Sequence, residues 1–175
     1  MQKIIGFFLL AVIAISCNNS APKTDTATKD VALPYTASYS SSFSMGKPEY
    51  CATILKGSWK DWENNTLTLD NMKAWAADTI IAFHSDNNTV RGIDSLLSRW
   101  KYGRSLYSSV IDTIDAVMPV YSTDKKENWV LIWATEISTK TDGTRDTMSL
   151  QETYRINKDG KADLLLQYDR AKRKK

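Results

Sequence analysis

The sequence places one carboxyl group where a general acid or base could work. Glu152 lies in the segment 147–156, whose residues alternate between apolar and polar, and it falls on the same side as Leu150 and Tyr154. If that side faces a cavity, burial would raise the pKa of Glu152 towards neutrality, where a carboxyl group can transfer protons. The same alternation also fits a packed face on which Glu152 pairs with a nearby Arg or Lys, or lies at the rim of a sheet.

Three further ionisable residues could serve the same chemistry. Asp112 interrupts a long β-branched segment on the side of Val110 and Ile114. His84 ends a short apolar run just before a polar turn, where exposure to solvent is the alternative. Asp78 follows a short helical segment, a position at which aspartate commonly caps a helix or binds the backbone. These three residues are candidates for proton transfer, and structural roles explain them as well.

Several classes of site are not indicated by the residues. The chain has one histidine and two cysteines, so it lacks the His and Cys clusters that bind zinc. A single histidine is also not enough to indicate a Ser-His-Asp catalytic triad. A glycine-rich nucleotide loop is also missing. We therefore expect neither a metal ion nor a cofactor. The net charge of +3 falls to +2 if Lys3 is removed with a signal peptide, and a nearly neutral chain gives no reason to expect nucleic-acid binding.

The N-terminus has the pattern of an exported, lipid-modified chain. Lys3 precedes an apolar run over 4–15, which is shorter than the roughly 20 residues that span a bilayer as a helix. The small residue before Cys17 and the polar stretch after it resemble the lipobox of bacterial lipoproteins, which implies cleavage before Cys17 and a lipid on its thiol. An ordinary signal peptide with a chance cysteine is the alternative. Cys51 would then remain as an unpaired core residue within a helical pattern.

The periodicity of the apolar residues predicts helices first and strands afterwards. Helical spacing covers 47–64, a short segment that Asp70 could cap, and 93–102. Strand patterns cover 79–84, 106–121, 129–139, 147–156 and 162–169. This order predicts an α+β fold, in which three N-terminal helices pack on an antiparallel sheet of about four to five strands. The helices must cover one face of that sheet, because the sequence offers no other cover.

Four local segments, in this order, resemble the NTF2-like superfamily and its SnoaL-like group. They are Trp59-Lys60-Asp61-Trp62 in the first helix, the helix-to-strand junction 76–83, the glycine-led helix entry 91–94 and the final hairpin 157–161. The resemblance covers residues 47–170 and implies a cone, in which a curved sheet wraps around a long helix and encloses an apolar cavity. It also implies that the position of Asp78 can hold a pocket acid. The superfamily includes isomerases, cyclases, dehydratases and non-enzymatic binding domains, so the fold does not fix the function.

The resemblance gives the aromatic residues of the domain a candidate role in lining the cavity. These residues are Trp59, Trp75, Trp100, Tyr102, Trp133 and Tyr154. Aromatic walls with a few polar groups suit a small apolar ligand, although packing in the core explains these side chains as well. For the whole chain we expect a signal peptide at 1–16, a lipid-anchored linker and lead-in at 17–46, the NTF2-like domain at 47–170 and a basic tail at 171–175.

These expectations favour a non-enzymatic, lipid-anchored domain of the cell envelope that binds a small apolar ligand or a partner protein. The periplasmic side of the outer membrane is the expected location, where the lipid on Cys17 would hold the domain. The alternative is an isomerase, cyclase or hydratase that uses Glu152, Asp78 or Asp112 for proton transfer. A third interpretation, implied by the sheet-to-sheet pairing of the superfamily, is a homodimer formed through the exposed face of the sheet.

Overall fold

A computed structural model describes residues 34–171 of the chain. Outside the described residues lie the predicted signal peptide 1–16, the lipid site Cys17, the linker up to residue 33, and residues 172–175 of the basic tail predicted at 171–175. In the part that is described, no helix is both long enough and apolar enough to cross a membrane. The domain predicted at 47–170 falls entirely within this part.

The helices form three units, as the sequence predicts. Their bounds are α1 (Pro48–Ile54), a π-helical turn (Leu55–Trp59), α2 (Lys60–Asn64), α3 (Leu69–Trp75) and α4 (Ile93–Ser105). The first three segments follow one another without a break, so residues 48–64 form one long helical unit. Pro48 occupies its first turn, where a backbone N–H has no helical partner, and Asn65 ends it with a φ of 57°.

Two local contacts position the helices. Thr68 caps α3, because its hydroxyl accepts a hydrogen bond from the backbone N–H of Asn71 at 3.1 Å, whereas the expected cap Asp70 lies in the first turn. Gly57, within the π-helical turn, lies directly against Trp75 of α3, so that a Cβ atom at residue 57 would be 2.3 Å from Trp75 Cδ1. Glycine therefore allows the long helical unit and α3 to approach closely.

In the described residues, seven strands form one mixed sheet in the order β1-β4-β5-β6-β7-β2-β3. Their bounds are β1 (Phe43–Met45), β2 (Ala76–Phe83), β3 (Thr89–Arg91), β4 (Tyr107–Ser122), β5 (Glu127–Lys140), β6 (Arg145–Ile156) and β7 (Ala162–Ala171). All neighbours pair antiparallel except β2 and β7, which run parallel with Ile81 opposite Leu164. The predicted antiparallel sheet of four to five strands is therefore wrong in the number of strands and in the direction of one pairing.

The two strands that the sequence pattern missed are short. β1 and β3 contain three residues each, which is too few for an apolar alternation to be recognised. The parallel pairing of β2 was missed because its partner β7 is the last strand of the domain, and no local pattern connects the two. The five longer strands and the α+β class agree with the prediction.

Alternation along the strands divides the sheet into an inner face under the helices and an outer face. In β5, Ile132 and Ala134 are buried on the inner face, whereas Trp133 between them is half-buried on the outer face. The inner face and the helices share one hydrophobic core. Cys51 is buried in this core, as the sequence predicts. The inner face is therefore the side on which a cavity can form.

Candidate functional site

A cavity of about 480 Å³ lies between the helices and the inner face of the sheet. Five aromatic side chains contribute to its walls, namely Trp59, Trp62, Trp100, Tyr102 and Tyr107. The ionisable residues of the lining are His84, Asp86, Arg99, Glu136, Glu152 and Asp169. The remaining lining residues are Ser58, Gly103, Leu106, Met148, Leu150 and Gln167. The cavity thus combines apolar walls with several acidic side chains.

Three of the six aromatic residues predicted for the cavity line it. Trp59 comes from the π-helical turn, and Trp100 and Tyr102 come from α4. A π-helical turn contains an extra residue, so the residues around it are rotated relative to a regular α-helix. In this turn the consecutive residues Ser58 and Trp59 are both buried, and both line the cavity. The local irregularity thus supplies two neighbouring side chains to the site.

The other three predicted residues do not line the cavity. Trp75 and Tyr154 are fully buried in the core, where Trp75 stacks on Trp100 at 5.6 Å between ring centroids and meets Tyr154 edge-on at 6.1 Å. Trp133 lies on the outer face of the sheet, because strand alternation sends its two neighbours inwards. Trp133 is therefore not a cavity residue, contrary to the prediction. Trp75 and Tyr154 lie in the core, and Trp75 packs directly against the lining residue Trp100.

Glu152 lies at the centre of a hydrogen-bonded chain of side chains. Its Oε2 accepts a hydrogen bond from the hydroxyl of Tyr154 at 2.5 Å, and its Oε1 accepts one from Nε2 of Gln167 at 2.9 Å. The Tyr154 hydroxyl is also 2.9 Å from the hydroxyl of Ser58, and Oε1 of Gln167 is 2.9 Å from Nδ1 of His84. The chain therefore connects the long helical unit, β6, β7 and the residue that follows β2.

Burial governs the protonation of Glu152. Only 5% of this residue is exposed, and desolvation raises the pKa of its carboxyl group to about 7, although the hydrogen bonds from Tyr154 and Gln167 favour the charged form. Desolvation and the neighbouring Glu152 also raise the pKa of Tyr154 well above its usual value, so that Tyr154 stays a hydrogen-bond donor. Glu152 can therefore gain or lose a proton near neutral pH, which is what a proton-transfer role requires.

His84 is buried rather than exposed, with 8% of its surface accessible. Because the amide nitrogen of Gln167 donates to Glu152, its carbonyl oxygen faces His84, and this assigns the proton of the neutral imidazole to Nδ1. Nε2 is an acceptor in this neutral form, and it is buried without a hydrogen-bond partner among the described residues. His84 lines both the main cavity and a smaller pocket of about 210 Å³. A donor group on a bound molecule could satisfy this acceptor.

Glu136 is a second buried carboxyl group of the cavity, and the sequence reasoning missed it. Its Oε2 accepts a hydrogen bond from the indole N–H of Trp62 at 2.8 Å. Desolvation raises the pKa of Glu136, while the Trp62 hydrogen bond and the nearby charge of Arg104 oppose the rise. A signal was present in β5, since Glu136 continues the inward positions of Ile132 and Ala134 with a period of two.

The remaining two carboxyl candidates do not line the cavity. Asp112 is half-buried on the inner face of β4, and neither of its carboxylate oxygens has a hydrogen-bond partner within residues 34–171. Desolvation, together with the charges of Glu136 and Glu63, raises the pKa of Asp112 to about 7. Asp78 is exposed near the start of β2, so the structure does not bring it to the pocket, contrary to the expectation.

Three charged residues of the cavity lining are less buried than the carboxyl groups of the wall: Asp86 and Asp169 are exposed, and Arg99 is half-buried. Asp86 forms an ion pair with Arg99 at 2.6 Å, and hydrogen bonds from Asn88 lower the pKa of Asp86 to about 2. Asp169 accepts a hydrogen bond from the hydroxyl of Ser85. The lining cation Arg99 is therefore already paired, whereas no ion pair within the described part of the chain involves Asp169.

The chemistry open to the site follows from these groups. Among the described residues, no three His, Cys, Asp or Glu side chains are grouped so as to hold a metal ion. The cavity offers a carboxyl group that titrates near neutral pH, an imidazole acceptor and aromatic walls. Such groups can bind a small molecule and can move a proton to or from it.

Comparison with solved structures identifies the fold as NTF2-like. An NTF2-like protein of unknown function from Exiguobacterium sp. 255-15 matches with a TM-score of 0.56 at 15% identity, covering 67% of this chain and 98% of its own. A protein from Jannaschia sp. CCS1, classed as a SnoaL-like polyketide cyclase, gives a TM-score of 0.59 at 11% identity, covering 70% and 86%. A Mycobacterium tuberculosis protein in complex with estradiol-17β-hemisuccinate gives a TM-score of 0.54 at 13% identity, covering 68% and 92%.

Comparisons of the sequence itself give no match. No protein-family profile matches this chain, and no curated protein matches it. The structural likeness agrees with the NTF2-like and SnoaL-like resemblance of the sequence. At these identities the likeness establishes the fold, and the function has to be argued from the site.

Proposed function

We propose that this domain binds a small, mainly apolar molecule in the cavity between the helices and the sheet. The observation that carries the proposal is the cavity, whose volume of about 480 Å³ falls within the range of roughly 300–1,000 Å³ that is usual for small-molecule sites. Five aromatic side chains line it, together with Met148 and Leu150. Binding there would remove the apolar surface of a ligand from water, which favours association. The estradiol ester in the Mycobacterium tuberculosis protein of the same fold supports a ligand of this character.

Titration with the neutral apolar dye N-phenyl-1-naphthylamine tests this proposal. We expect the dye to bind the full chain, carrying Cys17→Ser to prevent lipid attachment, with a dissociation constant on the order of micromolar. Met148→Trp should fill the cavity and weaken binding by about tenfold or more. Ser149→Trp is the matched control, because residue 149 is exposed on the outer face of β6. The proposal is wrong if the dye does not bind, or if Met148→Trp binds it as tightly as Ser149→Trp.

A second candidate function is proton transfer to or from the bound molecule. Glu152 favours it, because this carboxyl group lies on the cavity wall and has a pKa of about 7. The reaction would be an isomerisation, cyclisation or hydration that begins or ends with proton transfer at a carbon atom. The classification of the Jannaschia protein as a polyketide cyclase supports this class of reaction on the same fold.

Exchange of carbon-bound hydrogen tests the enzymatic candidate. In heavy water, the full chain is expected to speed the replacement of α-hydrogens of a cyclic ketone by deuterium, followed by nuclear magnetic resonance. Glu152→Gln should slow this exchange by about a hundredfold or more, the usual contribution of a general acid or base. Asp112→Asn is the control, since Asp112 does not line the cavity. Equal rates in the wild type and in Glu152→Gln would exclude Glu152 as the proton-transfer group.

We further propose that a lipid on Cys17 holds the domain in the cell envelope, on the periplasmic side of the outer membrane. The apolar run 4–15, the small Ser16 and the polar stretch 18–30 support this proposal. Metabolic labelling with palmitate is expected to mark the wild type and Cys51→Ser, and to fail with Cys17→Ser. Labelling of Cys17→Ser to the wild-type level would show that Cys17 is not the lipid site.

A further inference from the structure

The charges around the cavity do not balance. Glu136 and Glu152 are both buried in its wall, and neither forms an ion pair with any described residue. Arg99 is the one Arg or Lys in the described lining, and it is paired with Asp86. Arg104 is buried near Glu136, but its guanidinium donates to three backbone carbonyl groups at 2.7–3.2 Å. The described lining therefore holds more negative than positive charge.

Aromatic rings are the second feature of the same walls. Trp59, Trp62, Trp100, Tyr102 and Tyr107 all line the cavity. The face of an aromatic ring carries partial negative charge, so it attracts a cation, and the attraction grows where water is excluded. Aromatic faces beside carboxylates are therefore a favourable setting for an organic ammonium group. A neutral ligand could use the same rings, but burial raises the pKa values of both carboxyl groups and would then favour their uncharged forms. An ammonium group would instead give their charged forms a counter-charge.

The third feature is the unpaired acceptor on His84. This residue is more than nine-tenths buried, and Nε2 has no hydrogen-bond partner among the described residues. In the neutral imidazole, the hydrogen bond between Nδ1 and Gln167 leaves Nε2 as an acceptor. An N–H group of a protonated amine would satisfy it. A carboxylate or a phosphate, whose oxygens only accept, would not.

We infer that the cavity selects an organic cation, namely a protonated amine on a compact apolar body. This inference rests on the proposed ligand-binding function and names the class of ligand. The apolar body would contact the aromatic walls, and the ammonium group would lie towards Glu136, Glu152 and His84. An anionic ligand fits poorly, because both arginines near the cavity already have partners.

Three ligands of one shape and different charge test the inference. They are 1-adamantylammonium, 1-adamantanol and 1-adamantanecarboxylate, titrated by calorimetry into the full chain carrying Cys17→Ser. We expect the ammonium to bind about tenfold or more tightly than the alcohol, and the carboxylate to bind most weakly. Equal or tighter binding of the alcohol or the carboxylate would overturn the inference. The inference is also overturned if none of the three ligands binds while the neutral dye does. Either result would leave the proposed ligand-binding function in place. If the dye also fails to bind, both proposals fall.

Removal of one charge inside the cavity gives a site-specific test. Glu136→Gln keeps an acceptor for the Trp62 indole and removes only the charge, so ammonium affinity should fall about tenfold while alcohol affinity stays the same. Asp115→Asn is the matched control, because Asp115 is exposed and hydrogen-bonded to Thr135 away from the cavity. Ammonium affinity that is unchanged in Glu136→Gln, or reduced equally in both variants, would overturn the inference. If Glu136→Gln does not fold, the three-ligand comparison on the wild-type cavity remains decisive.

Discussion

At the scale of single residues, the site depends on how Glu152 is held. Tyr154 and Gln167 each donate to one of its carboxylate oxygens, which fixes the orientation of the group in the cavity wall. The burial of Glu152 was within reach of sequence reasoning, because alternation along one strand indicates it. Its contact with Gln167 was also within reach, because the hairpin at 157–161 pairs β6 with β7 and places Glu152 opposite Gln167. The contact of Gln167 with His84 was not, because β2 and β7 are far apart in the sequence.

The pKa of Glu152 predicts a pH dependence of stability. Burial raises this pKa from 4.5 to about 7, so the folded protein holds the proton more tightly than the unfolded chain. The resulting stability is fully present below the unfolded-state pKa, and it is lost as the pH rises through 7. For Glu152 the loss amounts to about 3 kcal/mol. Asp112, with a pKa raised from 3.8 to about 7, contributes in the same pH range.

Urea unfolding at about pH 5 and about pH 8 checks this expectation. The wild type should be less stable at the higher pH. Glu152→Gln should reduce the difference in unfolding free energy between the two conditions, and Asp112→Asn should reduce it separately. A difference that neither variant reduces would show that other groups cause the pH dependence.

The hydrogen bond from Tyr154 predicts a change in the titration of Glu152. Tyr154→Phe removes a donor to the carboxylate, and a donor stabilises the charged form, so the pKa of Glu152 should rise by about one pH unit. Carbon-13 resonance of the labelled glutamate carboxyl groups measures it. Ser58→Ala is the control, since it leaves the Tyr154 donor in place. An unchanged or lower pKa in Tyr154→Phe would contradict the assigned hydrogen bond.

At the scale of elements, the accuracy of the sequence reasoning depended on length and regularity. The long strands and helices carry enough periods to be recognised, whereas β1 and β3 do not. Alternation along β6 indicates the inward position of Glu152. The same rule in β5 would have placed Glu136 inside and Trp133 outside, where they lie. The π-helical turn was beyond prediction, because one extra residue in a helix leaves no separate mark on the apolar pattern.

The close approach of the helices predicts the effect of a single methyl group. Gly57→Ala would place a Cβ atom 2.3 Å from Trp75 Cδ1, and the fully buried indole is already packed against Trp100 and Tyr154. We expect a loss of about 1–3 kcal/mol in unfolding free energy, measured by urea denaturation. Gly103→Ala in α4 is the control, because its nearest contact is at 3.5 Å, and alanine favours a helix. Equal stability of the two variants would contradict the packing argument.

At the scale of the whole molecule, the outer face of the sheet carries two groups of apolar side chains along β4 and β5, with Asp115 and Thr135 between them. Its apolar positions include Ile111, Met118, Leu131, Trp133 and Ile137, of which Ile111 is 50% and Met118 36% exposed. Exposed apolar side chains grouped on a sheet face are suited to self-association. We expect Trp133, which does not line the cavity, to take part in a contact between two copies of the chain through this face.

This face predicts that the oligomeric state is sensitive to charge. We expect the wild type to form a dimer at micromolar concentration, as measured by size-exclusion chromatography with light scattering, and Met118→Lys to shift it to the monomer. Ser95→Lys adds the same charge at an exposed position of α4 and should leave the dimer intact. A monomeric wild type, or a dimer that persists in Met118→Lys, would exclude this surface as the contact.

The position of β7 has a consequence for the order of folding. This last strand lies between β6 and β2, and its parallel pairing with β2 attaches β2 and β3 to the antiparallel strands β4 to β7. Until residues 162–171 have been synthesised, β2 and β3 can pair only with each other, so the sheet cannot be completed. Contacts between distant parts of a chain also form slowly. Late completion of this kind would keep a newly made chain unfolded for longer. The proposed export would require this, because a chain passes through a translocation channel in an unfolded state.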